Sequence, residues 1–466
     1  MEANDCSYRF QGIEGEEVPR NVQNLTFTPG IQVLLDDLCS FCKFLQEVTL
    51  PQGLISIGNE AFSFCRNLLD VKICTSVESI GEDAFFSCRQ LKNVEFQCSM
   101  SSPPRLETIG ESAFQRCKSL QRIKIPSSVS MIGDFAFDDC ETLVAADLSK
   151  ASITQISSWT FSECMSLRTV SLPSSLERIC REAFNDCVSL VTVIIPLDSR
   201  PIHMEQNSIN ACNALANLVL PQGSKAERDA FTKCELLQGR YGEGSDSIVA
   251  GLACRFDNFP VHKICYHPSS TTAQELCDCI QRTNDDILSL VDEFGMTPFH
   301  VLFSTPEPSQ DLLKVLLDKY SYHVLVDCQD ANDNRPMDYL ISNWNEATAP
   351  MVKETMQRWM IDPFLRWGAT SWAEAMQSRV QALLAGDDDD DREISNYHAI
   401  CDFTLFRDME VTSILEMVLW KKQLKGGRNN DGTKRQALDR EECRCVCGSD
   451  VVIPSVVEFL DFILPS

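Results

Sequence analysis

Hydrophobic residues in the first half of the chain recur with a period of about 23 residues. Residues 57–68 and 109–120 share the pattern I-G-x-x-A-F-x-x-C-x-x-L, and successive cysteines of this pattern are separated by 23, 23, 29, 23, 24, 23, 25 and 22 residues. The nine cysteines are Cys42, Cys65, Cys88, Cys117, Cys140, Cys164, Cys187, Cys212 and Cys234. A fixed period of this length is typical of a solenoid, in which each unit buries its apolar face against its neighbours.

The pattern within one unit predicts its local structure. A leucine follows each cysteine after three residues and begins a segment such as Leu68, Val71 and Ile73, whose last two apolar residues alternate as in a strand. Phenylalanine precedes the cysteine by three residues in seven units, and Cys39 and Ile209 replace it in the first and eighth. We expect A-F-x-x-C to form a tight turn or a short helical piece, and the phenylalanines to stack into a spine along the solenoid.

The repeat cysteines have two interpretations. A small buried hydrophobe that fills the same slot in every unit is one of them. A metal ladder or a disulfide ladder is the other, because adjacent repeats lie one strand spacing apart, about 4.8 Å. Nine equivalent positions would leave one thiol unpaired, so the sequence favours core packing.

Some units depart from the pattern. The glycine after isoleucine is replaced by Ser157, Cys180 and Glu205 in later units, so we expect no strict requirement for a positive φ at that position. The single 29-residue step contains an insertion at residues 98–104, which predicts a surface loop.

A second period begins after a segment rich in glycine and serine, residues 239–250, which predicts a linker. His262, His300 and Asp338 are each 38 residues apart, and residues 292–300 read D-E-F-G-M-T-P-F-H. Glycine suits a tight turn, proline suits the first turn of a helix, and histidine or aspartate can cap it. The sequence therefore predicts helical repeats in this part of the chain.

Both periods resemble known repeat families. The 23-residue pattern resembles the BspA-type leucine-rich repeat family over residues 22–238, and D-E-F-G-M-T-P-F-H resembles the ankyrin signature. The resemblance implies an α+β repeat protein, with a leucine-rich repeat solenoid of about nine 23-residue units followed by an ankyrin-like all-α domain. The expected divisions are an N-terminal segment at 1–21, the solenoid at 22–238, a linker at 239–250, ankyrin-like helical repeats at 251–385, an acidic loop at 386–401, and C-terminal helices with a tail at 402–466.

Charge and cysteine content restrict the possible partners and location. The formal net charge is −26, with −9 in residues 1–240 and −17 in the remainder. An acidic chain repels phosphate backbones and anionic lipids, so we expect neither nucleic-acid nor membrane partners. The polar N-terminus does not resemble a secretory signal, which predicts a cytoplasmic protein whose 23 cysteines are mostly reduced.

Clusters of potential metal ligands are few. The run Asp387–Asp391 is interpreted as a solvated loop, with a calcium site or a docking tail for basic partners as the alternative. The tail cysteines are interpreted as structural thiols, with a zinc or redox site as the alternative; they are Cys443, Cys445 and Cys447.

A third cluster, formed by His262, Cys265 and His267, is explained better by the helix-capping position of His262 than by a metal. No phosphate-binding loop, dinucleotide fingerprint, zinc-protease motif or nucleophile elbow is present in the sequence. We therefore predict no catalytic residues, no bound metal and no cofactor.

The outward positions of the predicted strands are the candidate binding residues. They change from charged residues of mixed sign to small or apolar ones along the solenoid, and the apolar end predicts a drier contact patch against the helical module. The candidates are Lys72, Glu95, Arg122, Lys124, Asp147, Ser171, Ile194 and Val219.

A non-catalytic protein–protein interaction scaffold is the function that two repeat arrays favour. The BspA-type resemblance also implies an exported cell-surface or adhesion protein as an alternative. A metal-binding or redox protein that uses the tail cysteines is the lower alternative.

Overall fold

A computed structural model describes residues 6–97, 103–266, 272–283, 291–305, 308–319, 328–336 and 338–339. All of them belong to the first of two compact units of the chain, Met1–Val352. Within these ranges, no helix is both long and apolar enough to cross a membrane. Residues 98–102 of the insertion, the acidic loop at 386–401 and the tail at 402–466 lie outside the described residues.

The described part of the first half is a parallel β-solenoid with short strands. The strands are β1 (Ser7–Phe10), β2 (Asn24–Phe27), β3 (Val33–Leu34), β4 (Glu47–Thr49), β5 (Ser56–Ile57), β6 (Asp70–Ile73), β7 (Ser79–Ile80), β8 (Asn93–Phe96), β9 (Thr108–Ile109), β10 (Arg122–Lys124), β11 (Met131–Ile132), β12 (Ala145–Asp147), β13 (Gln155–Ile156), β14 (Thr169–Ser171), β15 (Arg178–Ile179), β16 (Phe184–Asn185), β17 (Thr192–Ile194), β18 (His203–Met204), β19 (Ile209–Asn210), β20 (Asn217–Leu218) and β21 (Lys225–Ala226).

Each repeat contributes one strand to each of two main sides of the solenoid. One side consists of the sheets β1-β2-β4-β6-β8 and β10-β12-β14-β17-β20, and the other of β11-β9-β7-β5-β3 and β13-β15-β18-β21. All pairs are parallel and in register with the repeat, so that Val71 lies beside Val94, and Ala146 beside Val170. About nine turns of about 23 residues are therefore confirmed.

The predicted phenylalanine spine is confirmed. Successive rings from Phe62 to Phe184 are stacked, with centroids 5.1–5.6 Å apart and interplanar angles of 2–7°. All six rings are fully buried. Each contributes roughly 1.5–3 kcal/mol by leaving water, and this burial exists only because a neighbouring repeat covers the ring.

The glycine after isoleucine is explained by close approach of neighbouring repeats. A Cβ added to Gly81 would lie 2.7 Å from the carbonyl carbon of Gly58, and one added to Gly110 would lie 2.6 Å from that of Gly81. None of these glycines has a positive φ, as the sequence predicted. The positive φ values fall instead on the fifth and first residues before the repeat cysteine, such as Glu60 and Phe64.

The segment before the first predicted unit forms part of the solenoid. Strand β1 pairs with β2, and Tyr8 lies beside Leu25. The Glu16 carboxylate closes the following loop by accepting hydrogen bonds from the backbone N–H groups of Gln11, Gly12 and Ile13. Residues 7–10 are therefore an additional strand of the first sheet.

Six described helices follow the solenoid. They are α1 (Glu235–Tyr241), α2 (Ser245–Cys254), α3 (Pro260–Tyr266), α4 (Ala273–Thr283), α5 (Pro298–Phe303) and α6 (Gln310–Lys319). We call these helices and the turns between residues 291 and 339 the helical module.

The linker predicted at residues 239–250 is helical over most of its length. Leu237 in α1 and Ile248 and Leu252 in α2 are buried, which holds both helices against the end of the solenoid. Gly242 ends α1 with a φ of 91°, and Gly244 precedes α2. The glycines therefore mark helix ends rather than a flexible connection.

Candidate functional site

The outward side chains of the early strands form a charged ladder, in which Lys72, Glu95 and Lys124 are exposed and Asp147 is mostly buried. Lys72 pairs with Glu95 at 3.4 Å, and Lys124 pairs with Asp147 at 3.6 Å, in both cases across neighbouring repeats. The side chains of Lys72 and Glu95 are 68% and 58% exposed, so this pair contributes little stability. We call the ladder, which includes Arg122, the charged ladder.

The outward side chains of the last three strands are buried. Ser171, Ile194 and Val219 are 2%, 8% and 2% exposed, respectively. The predicted change toward a drier patch is therefore present, but these three residues offer no exposed surface to a partner. The reason is that the helical module of the same chain lies against this part of the sheet.

Side chains of the helical module bind the backbone and side chains of the late strands. The Tyr266 hydroxyl in α3 accepts a hydrogen bond of 3.0 Å from the backbone N–H of Ile195, and burial raises the pKa of Tyr266 to about 12. The side-chain amide of Asn217 donates to Ser304 Oγ at 2.7 Å. The guanidinium of Arg168 donates to Asn334 Oδ1, also at 2.7 Å.

A buried ion pair lies at this junction. The Arg255 guanidinium is 2.5 Å from the Asp292 carboxylate, both side chains are fully buried, and Arg255 also donates to the carbonyl oxygen of Ala216. The rings of Phe256 and Phe294 lie 5.0 and 4.9 Å from the guanidinium carbon. Burial alone would raise the pKa of Asp292, but the guanidinium lowers it below its ordinary value. The charged pair thus joins three segments: the end of the solenoid, α2 and the turn before α5.

The 38-residue period corresponds to a repeated turn. Asp292 Oδ1 accepts from the backbone N–H groups two and four residues later, and Asp330 Oδ1 does the same. His262 donates from Nε2 to the carbonyl oxygen of Met296 at 2.9 Å, and His300 donates in the same way to Asn334 at 3.1 Å. Each histidine therefore joins one helix to the turn of the next repeat.

The candidate metal ligands are placed as follows. Cys265 is buried, and His262 uses its ring nitrogen to bind the next turn; His267 lies outside the described residues. The part of the chain that the structure describes contains no group of three or more His, Cys, Asp or Glu side chains arranged for a metal. The run Asp387–Asp391 and the cysteines 443, 445 and 447 also lie outside the described residues.

Each repeat cysteine after the first donates a hydrogen bond to the preceding repeat. The acceptor is the carbonyl oxygen of the residue at the phenylalanine position, at S···O distances of 3.0–3.4 Å. All nine thiols are fully buried and unpaired, and burial raises the pKa of Cys88 and Cys140 well above the ordinary value. The repeat cysteines therefore act as small buried core residues, which is the first of the two interpretations.

One exposed region was missed by the sequence reasoning. Large apolar side chains beside the repeat cysteines are exposed, among them Phe41, Phe44, Met165 and Val188, at 49%, 55%, 49% and 45%. Phe41 stacks on Phe64 with a centroid distance of 4.7 Å. The sequence does contain a signal for this exposed region. The residues immediately before and after each cysteine vary in charge, whereas the cysteine itself is constant.

The protein-family model described as BspA type leucine rich repeat region matches the chain at residues 19–102, 98–216 and 147–248. The match contains six copies of the repeat region. The repeat region matches the BspA-type leucine-rich repeat family. The match ends at residue 248, so the ankyrin-like interpretation of the following helices stays a prediction.

Similar solved structures are also leucine-rich repeat proteins. One from Bacteroides ovatus is 22% identical with a TM-score of 0.38, covering 50% of this chain and 69% of its own. A leucine rich cell surface protein from Faecalibacterium prausnitzii is 25% identical with a TM-score of 0.30, covering 44% and 61%. A leucine-rich repeat protein from T. pallidum is 21% identical with a TM-score of 0.33, covering 48% and 92%. No curated protein matches the chain.

Proposed function

We propose that this protein is a non-catalytic, cytoplasmic scaffold that binds other proteins through the charged ladder of its BspA-type repeats. The observation that carries the proposal is the division of one strand face into two parts. The last three repeats of this strand face already bind a folded protein surface, the helical module of the same chain, through Tyr266, Ser304 and Asn334. The earlier repeats have the same backbone and remain exposed.

The charged ladder is suited to partner selection. Lys72 and Glu95 lie in register on neighbouring strands, as do Lys124 and Asp147, so the charges within each pair have a fixed spacing along the solenoid. Charged groups at fixed positions favour partners with the complementary pattern and repel others. The surface pairs among them are weak, so a partner can replace them at little cost.

Affinity purification with the full chain tests the ladder. We expect a variant with Lys72→Glu and Lys124→Glu to lose partners that the unchanged protein recovers. A control with Arg178→Glu and Arg200→Glu reverses two exposed charges on another side of the solenoid and should retain them. Equal recovery by both variants would contradict a role for the ladder.

The cytoplasmic location is supported by the thiols. All nine repeat cysteines are buried as free thiols, which suits a reducing compartment. Detection of the protein outside intact cells, with oxidised cysteines, would favour the exported surface or adhesion protein instead. Stoichiometric zinc or iron in the purified protein would favour the metal or redox alternative.

The helical module is proposed to be ankyrin-like. The proposal is supported by the equivalent turns at Asp292 and Asp330, and by Thr297 and His300, which form a capping box at the start of α5. The positive φ values of Gly295 and Asp333, 76° and 59°, fall at the same place in the two turns. An experimental structure in which residues 340–385 form paired helices at this period would support it.

A further inference from the structure

The residues immediately before and after each repeat cysteine form two rows along one edge of the solenoid. In repeats two to seven, counted by their cysteines, these rows are Phe64 and Arg66, Ser87 and Arg89, Arg116 and Lys118, Asp139 and Glu141, Glu163 and Met165, and Asp186 and Val188. Repeats two to four therefore carry only basic charges in these rows, and repeats five to seven carry only acidic ones. We call this surface the cysteine edge.

Apolar side chains accompany both halves of the cysteine edge. Phe64 and its neighbour Phe86 are half-buried and meet edge to face at 5.2 Å in the basic half. Met165 and Val188 are exposed in the acidic half. Exposed apolar residues within a charged border are typical of a surface that contacts another protein.

The chain itself shows how these rows pair. Where the basic half meets the acidic half, Arg116 lies 3.7 Å from Asp139, and Lys118 lies 3.3 Å from Asp139 and 2.5 Å from Glu141. Away from this boundary, each repeat has a neighbour of the same sign. Among the described residues, accordingly, Arg66, Arg89, Glu163 and Asp186 form no ion pair, and these are the outer charges of each half.

From this distribution we propose that the cysteine edge binds the same edge of a second copy of the chain, in an antiparallel dimer with twofold symmetry. A twofold axis that lies in the interface, crosses the solenoid direction and passes between the repeats of Cys117 and Cys140 exchanges the two halves. It places repeat two opposite repeat seven, three opposite six and four opposite five. Every facing pair then joins a basic repeat to an acidic one, as a closed isologous interface requires.

The alternative twofold arrangement is excluded by charge. An axis parallel to the solenoid would place each repeat opposite its own copy with the two rows exchanged, so that Arg116 would face Lys118 and Asp139 would face Glu141. Like charges in contact repel, whereas the antiparallel arrangement brings Arg66 near Asp186 and Arg89 near Glu163. The axis keeps each row opposite itself, so Phe64 faces Asp186 and Arg66 faces Val188, and Arg66 reaches Asp186 across the two rows. The two rows are two residues apart, about 7 Å at most, which an arginine side chain spans.

The interface is long and narrow. Repeats two to seven span five strand spacings, about 24 Å. A surface of this length and of two rows is smaller than that of a permanent dimer, so we expect reversible association that weakens as salt screens the charges.

Charge exchange tests the proposal in the full-length chain. One variant carries Arg66→Glu and Arg89→Glu, so that the two outer repeats of the basic half become acidic. A second carries Glu163→Arg and Asp186→Arg, so that the two outer repeats of the acidic half become basic. We expect each variant alone to be monomeric by sedimentation velocity, at concentrations where the unchanged protein forms dimers. An equimolar mixture of the two should form heterodimers, and the variant with all four changes should form homodimers again.

The substitutions use residues that the chain already places in these rows. Arg116 and Lys233 occupy the row before the cysteine with positive φ values of 62° and 55°, and Glu141 occupies the row after it. A control with Arg178→Glu and Arg200→Glu changes the net charge as much as the first variant does, on another side of the solenoid, and should leave the dimer intact. Melting curves of all variants should match that of the unchanged protein.

Three results would overturn the proposal: an unchanged protein that is monomeric at every concentration and at low salt, a dimer that both variants leave intact, or a mixture of the two variants that stays monomeric. A readout that leaves the charges unchanged is Val188→Ser with Met165→Ser, which should weaken dimerisation, whereas Ile13→Ser, at the N-terminal end of the solenoid, should not. These outcomes are independent of whether the charged ladder binds other proteins.

Discussion

The thiol of Cys88 donates a hydrogen bond of 3.2 Å to the carbonyl oxygen of Phe62, one repeat earlier in the chain. Phe62 itself stacks on Phe85, which lies three residues before Cys88. The same residue of the preceding repeat therefore provides a ring for the spine and an acceptor for the thiol. This double contact explains why a cysteine, rather than another small residue, suits the slot: it fills an apolar space and donates one weak hydrogen bond.

Replacement of this thiol should be measurable. We expect Cys88→Ala to lower the free energy of unfolding by about 1–2 kcal/mol, because it leaves a small cavity and removes one of the two hydrogen bonds that the Phe62 carbonyl oxygen accepts. Urea unfolding of the full-length chain, followed by circular dichroism, measures the change. Cys254→Ala is the control, since Cys254 is exposed in α2 and its loss should change stability by less than about 0.5 kcal/mol. Equal effects of the two substitutions would contradict the packing role.

Close contact between repeats predicts an intolerant glycine. A methyl group at Gly81 would lie 2.5 Å from Asn59 Oδ1 and 2.7 Å from the Gly58 carbonyl carbon, which belong to the preceding repeat. We expect Gly81→Ala to lower the free energy of unfolding by about 1–3 kcal/mol, because the two repeats must separate.

The matched control is Gly239→Ala in α1. A Cβ there meets nothing within 4 Å, so the alanine should stabilise the helix by up to about 1 kcal/mol. Thermal unfolding of both variants checks the opposite signs. A neutral Gly81→Ala would show that the repeats separate easily at this position.

The solenoid was predictable because its contacts repeat. Phe62, Cys88 and Leu91 occupy positions that recur at the same place in nine successive repeats, so the period alone identifies them as buried. The helical identity of residues 239–250 was not predictable in the same way, because Gly242 and Gly244 look alike whether they end helices or form a linker. Only the burial of Ile248 and Leu252 against the solenoid distinguishes the two.

The site was predictable in part for a similar reason. Alternation in the strands identified the outward row that contains Lys72 and Ile194, and its change in polarity predicted the contact with the helical module. The partner residues Tyr266, Ser304 and Asn334 lie at least 71 residues away from the strand residues that they bind, and no local pattern connects the two sets. Long-range contacts of this kind depend on how α3 and α5 pack, which periodicity does not encode.

The buried ion pair predicts a strong effect at the junction. We expect Arg255→Met to lower the free energy of unfolding of the helical module by about 3–5 kcal/mol, because it leaves the Asp292 carboxylate buried without a counter-charge. Hydrogen exchange resolved by segment should show the loss of protection in α2, α3 and the turn before α5. Protection of the early repeats should be retained.

Two further variants test whether the unpaired buried carboxylate causes the loss of stability in Arg255→Met. Arg255→Met combined with Asp292→Asn removes both charges and should recover part of the loss, since the amide oxygen still accepts from Phe294 and Met296. Arg240→Met removes the exposed pair with Glu293, in which the arginine is 50% exposed, and should cost less than about 1 kcal/mol. Comparable losses for Arg240→Met and Arg255→Met would contradict the assignment.

The buried histidines predict that acid destabilises the helical module. Burial lowers the pKa of His262 to about 4, from an ordinary value of 6.5, and burial also lowers the pKa of His300. Above pH 6.5 both imidazoles are neutral in the folded and unfolded states, so their contribution is fully present. As the pH falls from 6.5 toward 4, the unfolded chain takes up a proton that folded His262 does not bind. The free energy of unfolding therefore decreases over this range, by about 1 kcal/mol for His262 alone at pH 5.5.

Urea unfolding at pH 7.5 and pH 5.5 measures this dependence, at values kept above the isoelectric point of about 4.6. His262→Gln keeps a donor for the Met296 carbonyl but cannot take up a proton, so its stability should change less between the two pH values than that of the unchanged protein. If His262→Gln had the same pH dependence as the unchanged chain, proton uptake would have to be assigned to other groups. The neutral imidazole of His262 would then not be what joins α3 to the turn at Met296.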